Sequence, residues 1–106
     1  MNSHLQQIVR LGEVPAVLAA EQIETLASGS RFRLEHILSG GHASPPEFWY
    51  DQPEGEWAIL LAGSAVLEFE EGVVAMQAGD AVLISAHRKH RVASSAQAVW
   101  LALHFL

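Results

Sequence analysis

Glu56, His90 and His104 are the side chains of this sequence best suited to work together at one site. Imidazole nitrogen and carboxylate oxygen bind divalent transition metals, and the same groups transfer protons near neutral pH. Asp51 and Gln52 closely precede Glu56 and offer further oxygen atoms. The chain has no cysteine, so disulfides, zinc ribbons and thiol nucleophiles are excluded. These residue types indicate either a mixed oxygen–imidazole metal site or an acid–base site.

Short β-strands are expected to position these groups. The pattern predicts strands over residues 31–38, 48–50, 57–62, 65–70, 73–76, 81–84, 91–93 and 98–105, with Gly, Pro and Asp at the turns. Gly63 is expected to end a strand, and residues 57–62 are apolar enough to be buried on both faces. Many short strands separated by glycine turns predict an all-β sandwich or barrel.

Alternation along a strand predicts which side chains share a face. On the last strand His104 lies on the same face as Trp100, and on an earlier strand Glu56 shares a face with Ala58. If Glu56, His90 and His104 all point inward, they bring one carboxylate and two imidazoles together. Two other interpretations stay open: Glu56 as a buried carboxylate held by hydrogen bonds, and His104 as a satisfied core residue.

Two segments resemble the paired motifs of the cupin superfamily. Glu56 and Gly63 match the end of the first motif in residue type and spacing. Gly79–His90 matches the second motif, with His90 at the family's ligand position. The resemblance covers residues 31–105. It implies an all-β fold, a small antiparallel, jelly-roll-like cupin β-barrel, with a pocket inside that is open at one end.

The first motif departs from the family pattern. Its two histidines would fall near Trp49 and Asp51, or near Tyr50 and Gln52, and neither pair contains a histidine. The expected metal ligands are therefore an atypical set, suited to iron, manganese, zinc or nickel: Asp51, Gln52, Glu56, His90 and His104. Of these, Glu56 and His90 are the expected catalytic residues. The expected pocket residues are Tyr50, Trp49, His36, Trp100 and His87.

The length of 106 residues fits a single domain. Residues 31–106 are expected to form the barrel, and residues 1–30 a short N-terminal arm that packs on it. Within this arm the pattern over residues 15–26 favours a short helix, with a strand near its end as the alternative. A barrel this small leaves apolar strand faces uncovered, so we expect a homodimer that packs strands across its interface.

Composition narrows the possible functions. The net charge of -6 argues against nonspecific binding to nucleic acid or to anionic membranes, which need a basic surface. No apolar run approaches the roughly 20 residues that span a bilayer, and no secretory signal is visible, so a cytoplasmic location is expected. Three functions stay open: a metal-dependent enzyme acting on a small molecule, a non-catalytic small-ligand-binding protein, and a metal-free acid–base enzyme.

Overall fold

The computed structural model describes residues 11–12, 14–16 and 18–106. Within these residues six strands follow one another: β1 (Gln22–Ser28), β2 (Phe32–Ser39), β3 (Gly55–Phe69), β4 (Gly72–Gln77), β5 (Ala81–Ile84) and β6 (His90–Phe105). The expectation for residues 1–10, 13 and 17, in the N-terminal arm, lies outside the described residues. No helix in the described part is long and apolar enough to cross a membrane.

All strand pairs are antiparallel, in the order β1-β2-β6-β3-β4. On the edge of β3 away from β6, β4 pairs with residues 64–69 and β5 pairs with residues 56–59. The prediction of an all-β, small antiparallel barrel is confirmed. The core is a cluster of buried apolar side chains on the inward side of the sheet, chief among them Leu60, Leu67, Phe69, Ile84, Ala98 and Trp100. Burial of such side chains stabilises the fold by about 1.5–3 kcal/mol each.

The sequence suggested that Gly63 ends a strand. In the structure it instead forms an irregularity inside the long strand β3. The register with β6 shifts on both sides of Ala62, and Gly63 has a φ of 78°. A Cβ atom there would collide with the main-chain oxygens of Ala96 and Gln97. Glycine therefore lets β3 bend without breaking, since it tolerates positive φ and close backbone approach.

Three other local predictions are corrected. Residues 22–26 belong to β1 and not to a helix, so the strand alternative holds there, because β1 gains its hydrogen bonds by pairing with β2. Residues 48–50 form no strand, and only Tyr50 makes a bridge, to His90. The two C-terminal strands predicted over 91–93 and 98–105 are one strand, β6.

Residues 57–62 are not buried on both faces. Ala58 and Leu60 are buried on the inward side, whereas Trp57 and Leu61 on the opposite side are each 40% exposed. Register extends the exposed side across the sheet, because Leu34, Leu103, Trp57 and Leu83 are successive cross-strand partners. We call this side the outer face; its apolar members are Phe32, Leu34, Trp57, Ile59, Leu83, Leu101, Leu103 and Phe105.

We propose that a second copy of this chain covers the outer face. The row from Leu34 to Leu83 contains no charged side chain, so a charged partner surface would lose its hydration there without gaining a partner. A second copy offers the same apolar rows, and a two-fold axis brings both copies' rows into one contact.

The prediction is that Leu83→Glu converts a dimer to a monomer, measured by light scattering after size-exclusion chromatography. Leu83 is 48% exposed on the outer face, and a carboxylate there would be buried by the partner. The matched control is Val73→Glu on β4, which is 65% exposed and lies outside these rows. A monomeric wild type, or equal effects of both substitutions, would contradict the proposal.

Candidate functional site

A partly open cavity of about 240 Å³ lies on the inward side of the sheet. The register of three strands positions its polar floor: Arg33 on β2, His104 on β6 and Glu56 on β3 are cross-strand partners in one row. The next row, Glu35, Ala102 and Ala58, continues the wall with two small residues. These alanines leave open the space that larger side chains would fill.

His104 is buried, and its ring is oriented by Glu35. Its Nε2 lies 3.2 Å from Glu35 Oε1. Because a carboxylate only accepts hydrogen bonds, this contact places a proton on Nε2. Nδ1 is buried without a hydrogen-bond partner among the described residues. It lies 3.9 Å from Glu56 Oε1 and 4.0 Å from Glu54 Oε1.

The ring of His90 is oriented in the same manner, by a main-chain carbonyl group. Its Nδ1 lies 2.9 Å from the main-chain oxygen of Arg88, and because a carbonyl oxygen only accepts hydrogen bonds, Nδ1 carries a proton. Nε2 lies 3.8 Å from Glu56 Oε1. His90 is 5% exposed, and its ring stacks against Tyr50 with the ring centroids 5.4 Å apart.

Glu56 stands between the two imidazoles. One donor reaches its Oε1, the side-chain amide of Gln52 at 3.0 Å. The second nitrogen of each ring lies within 4 Å of this same oxygen. We call the three atoms His90 Nε2, His104 Nδ1 and Glu56 Oε1 the acceptor cluster, because each carries a lone pair when the rings are neutral. Of the three, Glu56 Oε1 receives the Gln52 amide, and His104 Nδ1 has no hydrogen-bond partner among the described residues.

The structure brings together six of the residues singled out from the sequence. Tyr50, Gln52, Glu56, His90, Trp100 and His104 all line the cavity. Of the two registers possible for the first motif, the Tyr50 and Gln52 pair lines the cavity, and the Trp49 and Asp51 pair does not. Trp49 is not among the lining residues.

Besides Trp49, three residues expected at the site are not among those that line the cavity. Asp51 and His87 are bonded to each other at 2.8 Å on the exposed rim, so the Asp51 carboxylate is engaged outside the cavity. His36 projects from the outward side of β2, where its Nδ1 lies 3.8 Å from Glu24 Oε1. In this arrangement neither His36 nor Asp51 lines the cavity.

Sequence reasoning missed Arg33, Glu35 and Glu21. Phe32, Leu34, His36 and Leu38 alternate along one face of β2, and the residues between them, Arg33, Glu35 and Ile37, line the cavity. Ile37 could have indicated this side, because it is an apolar residue on the same face of the strand as Arg33 and Glu35. Arg33 donates to Glu35 and Glu54, each at 3.0 Å, which lets a charged row lie on the inward side.

Comparison with known proteins identifies the family. Residues 34–104 match the family model described as Cupin domain. This chain is a cupin. A candidate mannose-6-phosphate isomerase from Ralstonia eutropha JMP134 is 37% identical, with 94% of this chain and 98% of that chain covered and a TM-score of 0.88. No curated protein matches the sequence.

Two more solved structures share the fold at low identity. A cupin superfamily protein from Desulfitobacterium hafniense DCB-2 is 17% identical with a TM-score of 0.77, covering 88% of this chain and 84% of that one. A conserved protein of unknown function from Streptococcus pyogenes is 12% identical with a TM-score of 0.77, covering 93% and 86%. These likenesses show the fold alone.

The acceptor cluster suits a metal ion in atom type but not in spacing. Ligand atoms on a shell of about 2.1 Å radius lie roughly 3.0–3.4 Å apart in octahedral or tetrahedral sites. Glu56 Oε1 is 3.8 Å and 3.9 Å from the two imidazole nitrogens. Within residues 11–12, 14–16 and 18–106, no three His, Asp or Glu side chains are arranged to hold a metal. The geometry of this cupin does not fit a formed metal centre.

The pKa of Tyr50 reflects the burial and the negative charges around the cavity. Burial raises the pKa of its hydroxyl above the ordinary value, and the carboxylates of Glu21 and Glu56 raise it further. A phenolate there would lose hydration and face two negative charges. Tyr50 therefore keeps its proton at neutral pH and can donate a hydrogen bond into the cavity.

Glu21→Gln is expected to lower the pKa of Tyr50, because it removes one of the two carboxylates that disfavour the phenolate. Tyr50 is the single tyrosine of the chain, so absorbance near 295 nm during alkaline titration reports it alone. The wild-type midpoint should lie above pH 10. Glu24→Gln, on the opposite side of β1, is the matched control and should leave the midpoint unchanged. An unchanged midpoint in both variants would contradict this account of the cavity field.

Proposed function

We propose that this cupin binds a small polar molecule in its cavity and moves a proton on it, with Glu56 as the base and without a required metal. The observation that carries the proposal is the acceptor cluster. Convergent titratable groups in a concave, largely apolar site are the usual basis of acid–base catalysis. The cavity volume of about 240 Å³ lies below the range of drug-sized pockets, which favours a ligand of monosaccharide size or smaller.

The roles follow from which atoms hold protons. Glu56 takes the proton from a carbon next to a carbonyl group, and the C–H electron pair becomes the double bond of an enediolate. The former carbonyl oxygen then carries the negative charge and accepts a hydrogen bond from Tyr50, which keeps its proton. Transfer of the neighbouring hydroxyl proton to that oxygen, and of the proton on Glu56 to the former carbonyl carbon, completes an isomerisation without an oxidant. The imidazole lone pairs accept hydrogen bonds from substrate hydroxyls and orient them.

Similarity to the Ralstonia protein supports this reaction class. That protein is described as a candidate mannose-6-phosphate isomerase, and aldose–ketose isomerisation is a proton transfer between adjacent carbons. The identity of 37% over nearly the full length of both chains makes the same class of chemistry a reasonable proposal for this one.

The test is exchange of substrate carbon-bound hydrogen with solvent in D₂O, followed by NMR, with a chelator present. D-mannose, D-mannosamine and D-mannose 6-phosphate serve as probes. Glu56→Gln should slow exchange at least about 100-fold, since it removes the base. Glu47→Gln, in an exposed loop, is the matched control. No exchange with any probe, or undiminished exchange in Glu56→Gln, would refute the acid–base proposal.

A divalent cation in the acceptor cluster is a second candidate function. The observation that favours it is that Glu35 and the Arg88 carbonyl hold the far ring nitrogens, as such groups do behind metal-binding histidines. Iron, manganese, zinc or nickel would then be held by Glu56, His90 and His104, with Gln52 nearby. Such an ion would polarise a substrate oxygen. Occupancy requires the carboxylate to move toward both rings.

Metal content measured by inductively coupled plasma mass spectrometry separates the two candidates. The protein is purified without nickel affinity and then reloaded with each of the four metals. The acid–base proposal predicts no stoichiometric metal in the wild type. Near-stoichiometric metal that is lost in His90→Ala, but kept in His36→Ala, would establish the second candidate. His36 is the matched control, because it is a buried histidine outside the cavity.

A further inference from the structure

The register of the strands gives the cavity a polar end and an apolar end. Two of its cross-strand rows carry the carboxylates of Glu35 and Glu56. The next row contains only apolar side chains, since Ile23 on β1 pairs with Ile37 on β2, and Ile37 pairs with Trp100 on β6. All three line the cavity. Because strands rise about 3.3 Å per residue, this apolar row lies about 13 Å from the row of Glu56.

The opposite wall of the cavity is divided in the same way. His90 belongs to the acceptor cluster and therefore to the polar end. Val92, two residues further along β6, pairs with Leu67 on β3, and both side chains line the cavity. This pair and the row of Trp100 both lie toward the bend at Gly63. We call five side chains together the apolar end of the cavity: Ile23, Ile37, Leu67, Val92 and Trp100.

The apolar end keeps part of its surface accessible. Ile23 is 57% exposed, and Ile37 and Val92 are half-buried. A single exposed apolar side chain is ordinary, but several that line one cavity indicate a place for a hydrocarbon group. Glu21 lies beyond Ile23 at the exposed rim, where its carboxylate accepts a hydrogen bond from Ser39. The carboxylate is therefore engaged outside the apolar end.

We infer that the ligand of this cavity is amphipathic, with a hydroxycarbonyl group at Glu56 and a short hydrocarbon chain against the apolar end. A hydrocarbon chain there releases water from apolar surface on both partners. A hydroxyl group at the same place would lose its hydrogen bonds to water, and the side chains of the apolar end offer it no replacement. The inference rests on the proposed function, which places the reacting hydroxycarbonyl group at Glu56, and it names the substrate class of the same site.

The test compares ligands that share one hydroxyketone group and differ at the far end. Hydroxyacetone, 1-hydroxybutan-2-one and 1-hydroxyhexan-2-one lengthen the hydrocarbon chain, and erythrulose adds two hydroxyl groups to the carbon skeleton of 1-hydroxybutan-2-one. Their affinities for the protein as purified, with its metal content measured, are determined by protein-observed NMR titration. Each added methylene should tighten binding about threefold, as burial of apolar surface does. Erythrulose should bind about 10-fold more weakly than 1-hydroxybutan-2-one.

Ile23→Thr provides the matched perturbation. It removes apolar surface and adds a hydroxyl group at an exposed position, so the fold should tolerate it. The affinity for 1-hydroxyhexan-2-one should fall about threefold, whereas the shorter hydroxyacetone should bind as before. Val73→Thr makes a similar change on β4, at a position that is 65% exposed and outside the cavity lining, and should alter neither affinity. The comparison of ligands on the wild type stands even if a variant is unstable.

Binding and exchange fail separately. Affinity that rises with chain length, without exchange of carbon-bound hydrogen in D₂O, would support the hydrocarbon inference and reject the acid–base chemistry. Exchange with an affinity that is independent of chain length would do the reverse. Tighter binding of erythrulose than of 1-hydroxybutan-2-one, or of D-mannose 6-phosphate than of 1-hydroxyhexan-2-one, would overturn the hydrocarbon inference. A chain-length dependence that is unchanged in Ile23→Thr would place the hydrocarbon elsewhere and overturn it too.

Discussion

The pairing of β3 with β6 is the constraint on which the site depends. His90 and His104 stand at opposite ends of β6, and Phe69 and Glu56 are their partners at opposite ends of β3. Fourteen residues of straight strand would separate the two histidines by about 46 Å. Both imidazoles nevertheless lie within 4 Å of Glu56 Oε1. The pair of strands must therefore fold back on itself.

Gly63 makes that bend possible. Register shifts between β3 and β6 cluster around residues 60–64, where Gly63 and Gln97 both have positive φ. The backbone of β6 passes so close to Gly63 that no side chain fits there. The family's first-motif glycine thus acts through geometry, since it lets one hydrogen-bonded ribbon supply two opposite walls of the cavity.

Much of the fold could be predicted from the sequence, because apolar alternation and turn glycines are local signals. The strand over 81–84 was predicted with its observed bounds. The continuity of β3 could not be, since a glycine that bends a strand has the same local pattern as one that ends it. The Glu56, His90 and Trp100 positions on the cavity wall followed from motif and alternation, whereas Glu35 did not. Its place depends on the hydrogen bond to His104, a contact between residues far apart in sequence.

The replacement of two expected histidines changes what the remaining groups can do. Tyr50 and Gln52 occupy the inward positions of the first motif, where they present a hydroxyl and an amide. In the described geometry the amide donates to Glu56, and a retained proton makes Tyr50 a donor rather than an anionic ligand. The donor groups of Tyr50 and Gln52 therefore line the same cavity as Glu56 and the two imidazoles. Such a mixture of donors and other polar groups favours recognition of a polar molecule by hydrogen bonds over a shell of equivalent metal ligands.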